Sequence, residues 1–393
     1  MIQICKEADK CTGCGACKNI CPKDAIDLRE NEYGFVYPVI DEEKCIECNL
    51  CSNTCEKIFE APLSAPLKAY ACTIKDKNSL MKSSSGGVFS VLAEYILENG
   101  GAVCGCIYGD DFKPMHICSE KKEDYYLMRK SKYVQSDTGL VYRDVKNRLD
   151  AGQNVLFTGT PCQVSALKGY LGKRYENLLC VDLICHGVPS YGMFKKFLQY
   201  LENKYKTKIT DFDFRSKKYT WQRFTSEFTD SSNKVKNIGK YDEFYMHGFS
   251  LGYMMRLSCY ECRYATENRI GDITIGDFWG YDKLELSCDK INGISVCMLN
   301  SENALKLKGV LEKNMTIEEV DYNIVVNGNT CLRHPTEKGK KWDRYMEAYK
   351  NDKIGDLAIR YRKSNVKGRL RAKIKLLIPL NLVNKIKKSI YGR

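Results

Sequence analysis

Two identical runs of four cysteines constrain this chain more than any other feature. Cys11-x2-Cys14-x2-Cys17-x3-Cys21 recurs 34 residues later as Cys45-x2-Cys48-x2-Cys51-x3-Cys55, so the first module is an internal duplication. Thiolates are soft, anionic donors, and this tight spacing wraps three of them around one face of a four-iron cube. In two-cluster modules with this run, the fourth cysteine serves the other cube. The spacing therefore predicts Cys11, Cys14, Cys17 and Cys55 on one 4Fe–4S centre, and Cys45, Cys48, Cys51 and Cys21 on the second. Pro22 follows the first run and Glu56 stands at the matching place in the second, a departure that removes no ligand. The alternative is a pair of zinc knuckles. A zinc site needs four ligands, not two runs of four at this spacing.

Spacing of this kind is that of a bacterial ferredoxin, whose work is one-electron transfer. Cysteine use elsewhere agrees with metal rather than disulfides. The chain holds 21 cysteines in 393 residues, and nine of them precede residue 56. Disulfide scaffolds suit small secreted domains. Here Met1-Ile2-Gln3-Ile4-Cys5-Lys6-Glu7 lacks the basic and apolar regions of a secretory signal, and no apolar stretch reaches eighteen residues. The expected location is the cytoplasm. Cys5, outside the runs, reads as a plain thiol.

Charge argues against nucleic acid. The net charge is +13, yet the segment from Leu357 to Arg393 alone carries twelve Lys and Arg and no Asp or Glu. The rest is close to balanced, which leaves little composition for a basic groove. No nucleic-acid partner is expected.

The expected fold class is α+β: a small two-cluster ferredoxin domain at 1–61, a stiff linker at 62–67 within Ala61-Pro62-Leu63-Ser64-Ala65-Pro66, an α/β domain at 68–355 and a basic helical tail at 356–393. Within the large domain, Val88, Leu92, Tyr95 and Ile96 follow helical spacing that should stop at Asn99-Gly100-Gly101. Residues 102–108, 154–158 and 178–184 read as buried strands, and a βαβ arrangement follows.

Three features of that domain suggest a site. Ser83-Ser84-Ser85-Gly86-Gly87 opens a helix and suits a phosphate, although a capped flexible turn is an equal reading. Cys162 follows the strand-to-helix turn Gly159-Thr160-Pro161, and Cys185 ends the next strand, at the sheet edge where ligands bind. Cys259-x2-Cys262 precedes Gly276-Asp277-Phe278-Trp279. Those four cysteines either converge on a third cluster or are ordinary core thiols.

Taken in order, Ser85-Gly86-Gly87, Ser131-Lys132-Tyr133-Val134-Gln135-Ser136, Gly159-Thr160-Pro161-Cys162-Gln163, Asp182-Leu183-Ile184-Cys185-His186-Gly187, Phe214-Arg215-Ser216-Lys217 with Trp221, Cys259/Cys262 and Gly276-Asp277-Phe278-Trp279 resemble one family. It is the beta subunit of coenzyme F420 hydrogenase/dehydrogenase, a flavin and iron–sulfur family, here with a fused ferredoxin domain. The similarity covers about residues 68–330, in an N-terminal part at 68–150 and a C-terminal part from 151. It implies FAD contacts at Ser85, Gly86, Gly87, Ser131, Lys132, Tyr133, Gln135, Ser136, Gly159 and Thr160. It also implies a third 4Fe–4S cluster on Cys162, Cys185, Cys259 and Cys262. Arg215 and Lys217 are candidates to hold an anionic group, or else belong to a solvated strand. His186 either tunes a cofactor or is structural. Cys72, Cys104, Cys106, Cys118, Cys180, Cys288, Cys297 and Cys331 read as core thiols, and no residue is assigned a catalytic role.

The function expected is an iron–sulfur flavoprotein oxidoreductase. It would move electrons between a ferredoxin-type carrier or redox partner protein and a small organic substrate or deazaflavin through FAD. The resemblance also extends to members that look like parts of surface-polysaccharide biosynthesis systems. The alternative is a non-catalytic electron-transfer subunit serving a partner enzyme. In the tail, Leu370, Ile374, Leu377 and Ile378 fall on one helical face among Arg369, Arg371, Lys373 and Lys375. That pattern suits an anionic membrane surface on the inner face, or a helix packed on the body, or a disordered solubilising tail.

Overall fold

The computed structural model describes residues 4–363, apart from residues 6, 56–60, 219, 223, 240 and 241. The amphipathic pattern of the tail and the Glu56 departure lie outside the described residues. Thirteen strands are described: β1 (Ile26–Glu30), β2 (Val36–Ile40), β3 (Lys68–Ile74), β4 (Ala102–Tyr108), β5 (Pro114–Ser119), β6 (Val155–Gly159), β7 (Leu178–Leu183), β8 (Ile209–Ser216), β9 (Thr225–Asp230), β10 (Val235–Asn237), β11 (Ile273–Asp277), β12 (Ser295–Leu299) and β13 (Met315–Glu319).

Eight strands form the central sheet in the order β13-β3-β12-β11-β7-β6-β4-β5. Its middle is parallel: β4 pairs with β6, β6 with β7, and β7 with β11. Antiparallel strands close both sides. β6 and β7 read as mainly apolar runs because helices cover both faces of a parallel sheet, and most of their residues are buried. The helix Val88–Glu98 forms where expected, burying Val88, Val91, Leu92 and Ile96, and ends where Gly100 takes φ +72°. The helix Pro161–Leu171 starts at a capping box: the Thr160 N–H donates to the Gln163 side-chain oxygen at 3.0 Å, and Pro161 needs no partner for a missing N–H.

One sheet spans both parts of the large domain, since β3 and β4 precede residue 150 and pair with β12, β13 and β6, which follow it. A second sheet, β10-β9-β8, packs with helix Tyr191–Tyr205 in an aromatic core that includes Phe194, Phe197, Phe212, Phe214 and Tyr245. That core also takes in Leu357 and Ala358, and Arg362 donates to Asp242 at 2.6 Å. The body therefore runs past the boundary expected at 356. Composition marked where acidic residues end, not where burial ends.

The ferredoxin module is the hairpin β1-β2 with the short helices Ala16–Ile20 and Leu50–Thr54. It is docked on the large domain. Thr138 and Tyr142 both donate to the Cys14 carbonyl, at 3.0 and 2.8 Å, and Arg143 donates to the carbonyls of Asn19 and Cys21 at 2.7 and 2.8 Å. The expected linker is itself held, because Ser64 exchanges backbone hydrogen bonds with Arg269 at 2.9 and 2.8 Å. Among the described residues, no helix is long and apolar enough to cross a membrane.

Candidate functional site

A cavity of about 530 Å³ opens at the C-terminal edge of the parallel strands, within the size range of ligand pockets. Cys106 of β4, Thr158 and Gly159 of β6, Leu183 at the end of β7 and Gly276 and Asp277 of β11 all reach its wall. This is where an open α/β sheet presents its ligand site. Ser85, Gly87, Ser131, Lys132, Tyr133, Gln135, Ser136, Gly159 and Thr160 line it, so the structure gathers nine of the ten expected cofactor contacts. The grouping has local causes. Gln163 donates to Ser136 at 2.9 Å and joins the 131–136 segment to the Gly159-Thr160 turn, while Ser84 accepts from the Ser131 N–H at 2.7 Å.

Gly86 is the exception. Its side faces the sheet, where an added Cβ would stand 2.0 Å from the Cys72 carbonyl oxygen and 2.6 Å from the Ser295 nitrogen. It is glycine because backbones approach closely there, not because a phosphate does.

Arg215 and Lys217 are not on a solvated strand. They are 3% and 7% exposed. Arg215 donates to Asp277 at 2.6 Å and to the Trp221 carbonyl at 3.2 Å, and its guanidinium lies over Phe224. Lys217 donates to the carbonyls of Leu80 and Ser85, both at 2.7 Å, so it fixes the Ser85 turn from below. Burial, with Arg215 beside it, lowers its amine to about 7. His116 is buried, stacked on Phe157, with Nε2 3.1 Å from the Thr158 carbonyl. Only a protonated Nε2 can bond that carbonyl, so Nδ1 is an acceptor.

The cysteines fall into the expected groups. Cys17 feels the negative charge of Cys14, Cys11 and Cys55, which with burial pushes its thiol well up. Burial likewise raises Cys51, and Cys21 adds to it. Cys55 is thus among the neighbours of Cys17, and Cys21 among those of Cys51. Cys185 has Cys259, Cys262 and Cys331 as its charged neighbours, and Cys162 and Cys262 pack against one core cluster. Among the described residues, no group of three or more such side chains closes around a single-ion point.

Two readings change. Cys331, expected in the core, lies on the cavity wall 3.6 Å from His186 Nδ1. Cys104 and Cys118, also expected as free thiols, face each other across β4 and β5 and are joined as a disulfide. Arg256 was not singled out by any motif. Fully buried, it donates to the carbonyls of Cys11 and Val36 and to Gln135. The only trace in the sequence is one Arg among Met254, Met255 and Leu257, three residues before Cys259.

Cysteines of both groups reach the cavity wall. Cys14 of the first run, with Thr12 and Gly13, forms one part of its wall, and Cys162, Cys185 and Cys331 form another. Six of its lining residues carry buried polar atoms without a protein partner: Thr12 Oγ1, His116 Nδ1, Arg129 Nε, Thr158 Oγ1, His186 Nε2 and Arg215 Nε. Buried polar atoms are normally satisfied, so this concentration suits a polar ligand.

Comparison with known proteins agrees with the two-part reading. Residues 152–323 match the family model for the C-terminal part of the coenzyme F420 hydrogenase/dehydrogenase beta subunit, and residues 10–57 match the 4Fe-4S dicluster domain. The coenzyme F420-dependent sulfite reductase of Methanocaldococcus jannaschii is 26% identical over 167 residues, which is 40% of this chain and 24% of that protein. The chain thus spans about a quarter of that relative's length. A subunit of the F(420)H(2) dehydrogenase of Methanosarcina mazei is 24% identical over 253 residues, 59% of this chain and 69% of the relative. A chain from the F420-reducing [NiFe] hydrogenase complex of Methanosarcina barkeri aligns with a TM-score of 0.46 and 18% identity, over 75% of this chain and 94% of that one. Over those two stretches the chain is similar to a 4Fe-4S dicluster domain and to the C-terminal part of the coenzyme F420 hydrogenase/dehydrogenase beta subunit.

Proposed function

We propose that this protein is an iron–sulfur electron-transfer subunit serving a partner enzyme. Its cavity holds FAD, which exchanges a hydride with a partner such as the deazaflavin F420, and its clusters carry single electrons away from or toward the flavin. The observation that carries this is the lining of the cavity, whose wall includes Cys14 of the first run as well as Cys162 and Cys185. FAD, when bound, exchanges a hydride with an organic partner and single electrons with iron–sulfur centres, whereas a deazaflavin exchanges hydride alone. The relative named as a subunit of F(420)H(2) dehydrogenase favours the subunit reading over a free-standing enzyme. None of them is named for polysaccharide synthesis, so that role rests on the resemblance alone.

The residues fit the cofactor's chemistry. Arg129 and Arg215 each present a buried, unpartnered Nε, which suits a phosphate or carboxylate on the cofactor's tail. Lys217 holds the Ser85 turn in place. His116 keeps an acceptor nitrogen for an N–H or O–H of the ligand. Cys162, Cys185, Cys259 and Cys262 are assigned to the third 4Fe–4S cluster, with Cys331 beside it.

Acid precipitation of anaerobically purified protein, followed by mass spectrometry, tests this reading. It predicts release of FAD, with retention falling about tenfold or more in Arg129→Ala while iron content holds. A protein with full iron that releases no FAD, and binds none when supplied, overturns it.

A further inference from the structure

We propose that the face around the second cysteine run is the docking surface for a redox protein that presents basic residues around an apolar centre. This rests on the electron-transfer reading above and names the partner's chemistry. The internal duplication supplies the argument. Thr12, Gly13, Cys14, Gly15 and Ala16 of the first run correspond to Ile46, Glu47, Cys48, Asn49 and Leu50 of the second. The backbone bends alike in both: φ is +65° and +78° at Gly13 and Gly15, and +54° and +59° at Glu47 and Asn49.

The two faces differ in what presses on them. At the first run, a Cβ on Gly13 would stand 2.6 Å from Gln135 Nε2, and one on Gly15 would stand 2.3 Å from Thr138 Oγ1. Glycine is required there by contact as well as by conformation. Ala16 is 1% exposed. At the second run the same left-handed positions carry full side chains, and residues 46–50 are all exposed. Ile46 is 56% exposed and Leu50 42%, and between them Cys48 is the exposed free cysteine among those described. Larger apolar residues replace Thr12 and Ala16 at the very positions the large domain covers in the first repeat.

The covered face shows how such a surface is engaged. Arg256 donates to the Cys11 carbonyl, Gln135 to that of Thr12 and Thr138 to that of Cys14. A partner for the second run therefore brings cationic and polar donors toward the carbonyls of Cys45, Ile46 and Cys48, with apolar contact to Ile46 and Leu50. Charge agrees. Glu42, Glu43 and Glu47 are exposed around the run, and Lys44 is already paired with Asp41 at 2.9 Å. A cluster held by four thiolates adds its own negative charge. The path of the electron then runs from the cavity past the Cys14 side to the second cluster and out beside Cys48.

The test uses the full chain, reduced anaerobically with dithionite and freed of excess, and follows its oxidation by two acceptors. One is cytochrome c, a basic-rimmed haem protein; the other is a small uncharged quinone. Each electron lost by a reduced cluster converts one ferric haem to ferrous. The expected result is a cytochrome c rate that falls with salt and drops about tenfold or more in Glu42→Gln/Glu43→Gln/Glu47→Gln. Ile46→Ser/Leu50→Ser lowers it as well, and the quinone rate stays within about twofold in both variants. Iron content and the reduced-cluster spectrum are measured on the same samples. Intact clusters with a cytochrome c rate that neither variant nor salt changes would overturn the docking surface while leaving the cavity reading untouched. Faster oxidation of a chain ending at residue 363 than of the full chain would also overturn it, since the basic tail would then be the occupant.

Discussion

Arg256 Nε stands 2.6 Å from the carbonyl oxygen of Cys11. That one bond ties the segment carrying Cys259 and Cys262 to the first run of the ferredoxin module. The same guanidinium donates to the Val36 carbonyl at 2.7 Å and to Gln135 at 3.1 Å, and lies over Tyr37 at 4.3 Å. A buried cation so placed is satisfied only while the two modules stay docked.

Replacing it should therefore loosen the interface rather than the cores. Arg256→Leu removes three charge-assisted bonds, and stability is expected to fall by about 3 kcal/mol or more. Amide hydrogen exchange should accelerate at residues 11–17 and 135–143 and stay unchanged in the aromatic core. Uniform acceleration across the chain would show that Arg256 supports the whole fold and not the junction.

His116 gives a pH signature. Burial lowers its imidazole to about 4, outweighing the Thr158 carbonyl, with Lys132 adding to the effect and Asp137 opposing it. Above pH ~6.5 the ring is neutral in both folded and unfolded chains and contributes nothing. Between ~6.5 and about 4 only the unfolded chain takes up the proton, so stability is lost on acidification. At pH 5 the loss amounts to about 2 kcal/mol. Anaerobic urea unfolding at pH 7 and pH 5 should show His116→Gln losing less than wild type by that amount. Equal losses would mean the ring titrates normally.

The cysteine runs were legible because covalent spacing alone dictates how thiolates meet a cube. β6 and β7 were legible because a strand covered on both faces shows as a mainly apolar run. Arg215 and Lys217 were harder for a related reason. Phe212 and Phe214 alternate with Asp213 and Arg215, a pattern that ordinarily marks one wet face. Here the second face is covered too, since Asp213 and Arg215 are buried as well as the two phenylalanines. Gly86 and Cys331 show the opposite limits. A glycine in a suggestive motif served sheet packing, and a cysteine in no motif lay on the cavity wall. Contacts distant in sequence decided both, and no local pattern reports them.

The central claim is that two iron–sulfur centres border one cofactor cavity, which requires a third cluster beyond the ferredoxin pair. Iron and acid-labile sulfide counted in anaerobically reconstituted protein test this most directly. The account predicts about twelve irons per chain in wild type, and about eight in Cys259→Ser with the ferredoxin signals intact. About eight irons in wild type, unchanged by Cys259→Ser, would contradict it.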